Sequence, residues 1–180
     1  LLGDFTIAED GTIYATDSVF QAVWRLQPDG KELEVWLEND QFMNLQGLAF
    51  STDGGTLYVA DYANGIWSID VATKAPTLLT APANATFFGI DGLYAVPGGL
   101  LAVQNGVSPQ RVLRVEPAAD GPSAARVIAS GAPAMTDLSL GEVLNGRFHF
   151  VGNSGWALFD PPPATPPPAR TVTIYSTTFE

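Results

Sequence analysis

Hydrophobic positions in this 180-residue chain fall into short runs with period-two alternation, broken at close intervals by Gly, Asp or Asn. One unit recurs. Asp10-Gly11-Thr12-Ile13-Tyr14-Ala15-Thr16-Asp17 returns as Asp53-Gly54-Gly55-Thr56-Leu57-Tyr58-Val59-Ala60-Asp61 and as Pro97-Gly98-Gly99-Leu100-Leu101-Ala102-Val103-Gln104-Asn105. A weaker copy is Asn145-Gly146-Arg147-Phe148-His149-Phe150-Val151-Gly152-Asn153. The closing acid or amide stands at 17, 61, 105 and 153, in steps of 44, 44 and 48 residues. A turn feeding a β-rich run at intervals of ~40–50 residues is the mark of propeller blades.

Each copy resolves further. An apolar run precedes the turn at 4–8, 45–50, 90–96 and 138–143, and a third run follows at 22–26, 65–69 and 111–115. Apolar positions alternate in these third runs as a half-buried strand requires. Outer runs come at 33–37, 77–79 and 125–129, and no segment carries a helical period. The pattern predicts an all-β propeller of four four-stranded blades, approximately 1–40, 41–83, 84–132 and 133–180. The last blade stops after its third strand, at 171–175. Before it, Pro161 to Pro168 holds six prolines with no N–H for a ladder, which predicts a polyproline-like surface loop. Closed propellers usually draw the missing strand of the last blade from the other terminus. Four blades of a larger ring are therefore expected, with the open blade edges covered by preceding chain or by another subunit. The opening Leu1-Leu2-Gly3-Asp4 lacks Met and reads as a cut inside a longer protein, so targeting and compartment are unread.

Composition narrows the classes. With 46% hydrophobic and 15% charged residues the chain is globular, and 18 Gly with 14 Pro exclude a helical bundle. Eight Lys and Arg against 19 Asp and Glu give a net charge of −11, which argues against nucleic acid or an anionic membrane as partner. Without Cys there is neither a disulfide framework nor a thiolate zinc site. No apolar run approaches the ~18–20 residues that a membrane helix needs.

Candidate chemistry lies where the first strand of each blade opens, near the axis. Asp4, Gln46, Asp91 and Asp137 hold these places: three carboxylates and an amide. Converging oxygen donors suit a hard cation such as calcium; equally, Asp at such positions satisfies backbone N–H groups in turns. Asp17, Asp61, Asn105 and Asn153 end the second strands and are expected to cap the following loops, since a folding device repeats whereas a site needs asymmetry. His149 is the only histidine, which excludes a His-based zinc cluster, and no Gly-x-Ser-x-Gly elbow occurs. Trp24, Trp36, Trp67 and Trp156 are expected to pack the blades.

Gln46-Gly47-Leu48-Ala49-Phe50-Ser51-Thr52-Asp53-Gly54-Gly55-Thr56-Leu57-Tyr58-Val59-Ala60-Asp61, with Gly65-Ile66-Trp67-Ser68-Ile69-Asp70, resembles a blade of the regucalcin/gluconolactonase-like six-bladed propellers. The stretch from Asp4 to Asp17 and Ile90-Asp91-Gly92-Leu93 are similar to neighbouring blades of that family. The resemblance implies a calcium- or zinc-dependent lactonase acting on a small lactone or ester. Its Asp-Gly segment matches Asp91-Gly92, making Asp91 a metal ligand and general base. Its Asn-Gly-Leu segment matches Gln46-Gly47-Leu48, with Gln46 as a second ligand through its carbonyl oxygen. Its substrate-binding Asn-Asp segment matches Gly3-Asp4, so Asp4, with Asp137, is expected to bind substrate. The family's Glu ligand falls before Leu1. The competing class is a non-catalytic ligand- or protein-binding propeller of the NHL or strictosidine-synthase-like kind, in which the same carboxylates only tie loops together.

Overall fold

Among the described residues of the computed structural model, fifteen strands make three four-stranded antiparallel sheets and one three-stranded sheet, each formed from consecutive strands. Residues 1–159 and 165–180 are described. The first sheet holds β1 (Leu2–Ile7), β2 (Ile13–Asp17), β3 (Ala22–Leu26) and β4 (Glu34–Glu38); the second holds β5 (Leu45–Phe50), β6 (Thr56–Asp61), β7 (Gly65–Asp70) and β8 (Pro76–Leu78). The third holds β9 (Ile90–Val96), β10 (Gly99–Gln104), β11 (Arg111–Glu116) and β12 (Ala124–Ser130), and the fourth β13 (Gly141–Leu144), β14 (Arg147–Val151) and β15 (Ile174–Thr177). This is the propeller pattern, with the last sheet ending at its third strand.

Three expected strands move. The run at 4–8 begins earlier, at Leu2, because β1 and β2 keep pairing out to Leu2 and Asp17. The run at 138–143 becomes β13 only from Gly141, because Asp137 and Ser139 bond across to the end of the β14 repeat instead. The third strand of the fourth sheet is Ile174–Thr177 rather than 171–175, since Thr171 and Thr173 bond to the Asn153 side chain and Gly152. Residues 161–164 of the expected polyproline loop lie outside the described residues, and 165–173 carry no regular secondary structure.

The core lies between successive sheets. Tyr14, Val23 and Trp36 of the first sheet pack against Leu57, Val59, Trp67 and Ile69 of the second, with Tyr14 edge-on to Trp36 and Phe50 at 5.1 and 5.2 Å. Ala60 and Ile66 meet Leu93, Leu100, Ala102 and Leu113 of the third sheet. Leu101, Val103 and Val112 then meet Phe148 and Phe150 of the fourth. Alternate residues of β10 thus face opposite neighbours. A strand covered on both sides reads as a continuous apolar run rather than an alternating one, which is why 100–103 is Leu-Leu-Ala-Val. The first sheet differs. On its face opposite Tyr14, Phe5, Ile7 and Val35 are 62%, 58% and 42% exposed, where a solvated face would carry polar residues.

Candidate functional site

The innermost strands depart from regular pairing where they open. β1 pairs with β2 at Leu2–Asp17 and next at Phe5–Ala15, so Gly3 and Asp4 oppose the single residue Thr16. β5 pairs with β6 at Leu45–Asp61 and next at Leu48–Val59, so Gln46 and Gly47 oppose Ala60. β9 pairs with β10 at Ile90–Gln104 and next at Gly92–Val103, leaving Asp91 as the extra residue. Each is a β-bulge, a device that turns side chains out of the pleat and is common beside binding sites. Asp4, Gln46 and Asp91 are therefore aimed by the same irregularity. Asp137 stands ahead of β13, held by an isolated bridge to Asn153.

The bulges are locked together. Thr16, fully buried, donates from Oγ1 to the Gln46 carbonyl at 2.7 Å and accepts the Asp4 N–H at 3.1 Å. Thr16→Val keeps the shape and leaves both backbone groups unpaired. It should cost about 2 kcal/mol, read as a lower urea midpoint with unchanged slope.

These residues converge on a cavity of about 480 Å³. Asp4, Gln46, Asp91 and Asp137 all line it, so the four expected positions are brought together. Asn44, Tyr62, Asn105, Gln110, Ser154 and Trp156 join them, with Leu138 and Leu140. No Lys, Arg or His stands among these lining residues. His149 lies on β14 between Phe148 and Phe150, paired across to Glu142 and Ser176.

Burial pushes the Asp91 carboxyl above its ordinary value; a hydrogen bond from Asn105 Nδ2 to Oδ2 at 3.0 Å opposes the shift, and the charges of Asp4 and Asp137 add to it. Burial likewise raises Asp4, against the 2.8 Å hydrogen bond it accepts from the Phe5 N–H. Burial and then the charges of Asp91 and Asp137 raise Tyr62. The cavity therefore concentrates negative charge with no basic side chain in its lining to offset it.

Asp137 is differently placed. Its Oδ2 accepts from Ser154 Oγ at 2.7 Å and from the Trp156 N–H at 2.8 Å, which fixes the single turn of 3₁₀ helix Trp156–Leu158. Trp156, expected to pack a blade, is instead 69% exposed and lines the cavity; the turn carries it off the sheet, whereas Trp36 and Trp67 are core.

The repeated acid or amide divides in the same way. Asp17 accepts the N–H groups of Val19 and Phe20. Asp61, fully buried, accepts those of Met43, Asn44 and Ala63 and the Trp67 indole, and so holds the loop that carries Asn44 into the cavity. Asn153 bonds Thr171 and Thr173. These three are folding devices, as expected. Asn105 is not: its side chain leaves its own loop for the cavity and bonds Asp91. Residue type alone could not mark it, since Asn153 carries the same amide at that position of the repeat.

Among the described residues no three His, Cys, Asp or Glu side chains lie close enough together to hold a metal. The cavity lining offers the carboxylates of Asp4, Asp91 and Asp137 with neutral amide oxygens such as that of Gln46, whose Nε2 donates to Asn44 Oδ1 and whose oxygen stays free to accept. Oxygen donors of mixed charge are the type that a hard divalent cation takes.

No family model matches the sequence. A curated relative, the adipocyte plasma membrane-associated protein Hemomucin of Drosophila melanogaster, is 49% identical over 37 residues, 21% of this chain and 6% of that protein. Among solved structures, a gluconolactonase from Xanthomonas campestris superposes with a TM-score of 0.60 at 21% identity, over 84% of this chain and 54% of its own. A chain of a nidogen–laminin complex superposes with a TM-score of 0.65 at 16% identity, over 84% of this chain and 56% of its own. The chain thus spans little more than half of either solved propeller. An enzyme and a partner in a protein complex match it equally well, so the likeness is one of architecture: the chain is built as a β-propeller.

Proposed function

We propose that the cavity hydrolyses an uncharged lactone or ester with the help of calcium, in the manner of a gluconolactonase. The observation that carries this reading is Asp91: a largely buried carboxylate, aimed by a bulge into a cavity of oxygen donors, with Oδ2 held by Asn105 and Oδ1 without a hydrogen-bond partner among the described residues. A base must be poised in this way, oriented by one partner and free at the other oxygen. The likeness to a solved gluconolactonase supports the reading.

Asp91 and the Gln46 amide oxygen would hold the ion, whose contribution when bound is Lewis-acid polarisation of the substrate carbonyl. Asp91 Oδ1 takes a proton from water as the water oxygen adds to the carbonyl carbon. The ring C–O bond then breaks, and the proton passes to the departing alkoxide, giving a hydroxy acid. Burial favours this base twice, because it excludes bulk water and raises the proton affinity of Asp91. Asp4 reaches the substrate from the first sheet, while Asp137 acts by placing the exposed Trp156 ring at the cavity wall. With carboxylates and no basic side chain lining the cavity, substrates bearing phosphate or carboxylate are repelled.

In the full-length protein, a panel of γ- and δ-lactones and aryl esters should show calcium-dependent hydrolysis that a chelator stops. Neutral substrates should turn over at least ~10-fold faster than anionic analogues of the same size, a difference of ~1.4 kcal/mol. Absence of turnover across the panel would overturn the reading in favour of a binding propeller. In a six-bladed ring the exposed Phe5, Ile7 and Val35 face would pack against a further blade.

A further inference from the structure

Asn105 sits where three blades meet. Its Oδ1 accepts a hydrogen bond from the Tyr62 hydroxyl at 2.9 Å, and its Nδ2 donates to Asp91 Oδ2 at 3.0 Å and to the Leu138 carbonyl at 2.9 Å. Tyr62 follows β6 of the second blade, Asp91 and Asn105 belong to the third, and Leu138 leads into the fourth. We infer that Asn105 is a positioning residue for Asp91, holding one carboxylate oxygen so that the other faces the cavity, and that this assignment rests on the hydrolase reading above.

Three observations carry it. The first is chemical matching. A carboxylate at this place, as Asp17 and Asp61 are in their blades, has no N–H to donate to Asp91 or to Leu138 and would bring like charges together. Only an amide offers one acceptor and two donors in the directions used, and all three are used. The second is that backbone geometry is arranged around the contact. The N–H of Gly89 donates to the Tyr62 carbonyl at 2.8 Å, and the N–H of Gly106 to the Gly89 carbonyl at 3.0 Å. A Cβ on Gly106 would stand 2.6 Å from the Gly89 Cα and 2.7 Å from the Tyr62 oxygen, so glycine at 106 is what lets the phenol reach Asn105. The third is the contrast within the repeat. Asn153, the matching residue one blade on, spends its amide on Thr171 and Thr173 and bonds no carboxylate among the described residues.

Groups that act through another residue at a metal-binding carboxylate typically change affinity by ~10–100-fold when removed. Asn105→Ala, made in the full-length protein, should therefore weaken calcium binding about tenfold by calorimetry and lower kcat, leaving KM for a neutral lactone within about twofold. Asn153→Ala is the control for a purely structural amide. It should lower the melting temperature while calcium affinity stays at the wild-type value. If Asn105→Ala folds poorly, Tyr62→Phe removes only the hydroxyl and should weaken calcium binding in the same direction by a smaller factor. Asn105→Ala and Tyr62→Phe proteins that lose melting temperature but bind calcium as wild type does would overturn the assignment. Wild-type protein that binds calcium, loses affinity in Asn105→Ala and hydrolyses no lactone would sink the hydrolase reading and leave the positioning role standing.

Discussion

Asp91→Asn is expected to reduce lactone hydrolysis by about 10²–10⁴-fold, the range lost with a positioned base, while the chelated protein melts at a higher temperature than wild type. The two effects come from one cause. Burial, reinforced by Asp4 and Asp137, raises the Asp91 carboxyl above its ordinary value of 3.8, so its charged form is disfavoured in the folded state. The sign follows from proton counting. Between 3.8 and the raised folded value the native chain holds a proton that the unfolded chain has released. Stability of the metal-free protein therefore falls as pH rises through that window and stays lower above it. Asn has the same shape without the charge, so Asp91→Asn should remove this fall. Melting curves of chelated wild type and variant, taken from about pH 3.5 to pH 7, should converge at the acid end and separate towards neutrality, with the variant above. A variant less stable than wild type at neutral pH would mean that the carboxylate is a net structural asset and that the environment described for Asp91 is wrong.

Gly47→Ala carries the second large effect, and it is steric. Gly47 lies in the bulge that opens β5, against the start of β9 in the next blade. A Cβ there would overlap the backbone nitrogen of Leu93 and come within 2.8 Å of the Asp91 carbonyl oxygen and the Gly92 carbonyl carbon. Every neighbour is backbone, so relief requires the two inner strands to separate. Overpacking of this kind costs about 3 kcal/mol, or a fall in melting temperature of roughly 6–12 °C for a chain of this size. Because Gln46 and Asp91 reach the cavity from these two strands, calcium affinity should fall with stability. A melting temperature within about 2 °C of wild type, the lower end of the shift expected from only 1 kcal/mol, would show that the blades do not meet there.

The repeat made most of the fold legible. Turn residues at steps of 44 located the hairpins, and the strands at 45–50, 90–96 and 22–26 fall where the apolar runs around those turns placed them. The errors cluster in the fourth blade, where the repeat is weakest and side-chain bonds from Asn153 replace the ladder. The site was legible only in part. Asp4, Gln46, Asp91 and Asp137 share one place in the repeat, and that was enough to gather them. Bulges leave no mark in the hydrophobic pattern, so the device that aims three of these side chains could not be read. Asn44 and Tyr62 arrive on loops held by Asp61 and by backbone bonds around Gly89, and no period encodes such contacts. Asn105 was not readable either: it is an amide where two earlier blades carry an acid, but so is Asn153, and the recurrence of the position argued for a folding device.

Calcium titration of the full-length protein, wild type against Asp91→Asn, followed as melting temperature, is the most direct measurement. Uncompensated carboxylates around Asp91 should make wild type gain stability with calcium, by ~2.7 kcal/mol at a hundredfold excess over Kd, and Asp91→Asn should lose most of that gain. Equal calcium response in both proteins, or none in either, would contradict the account.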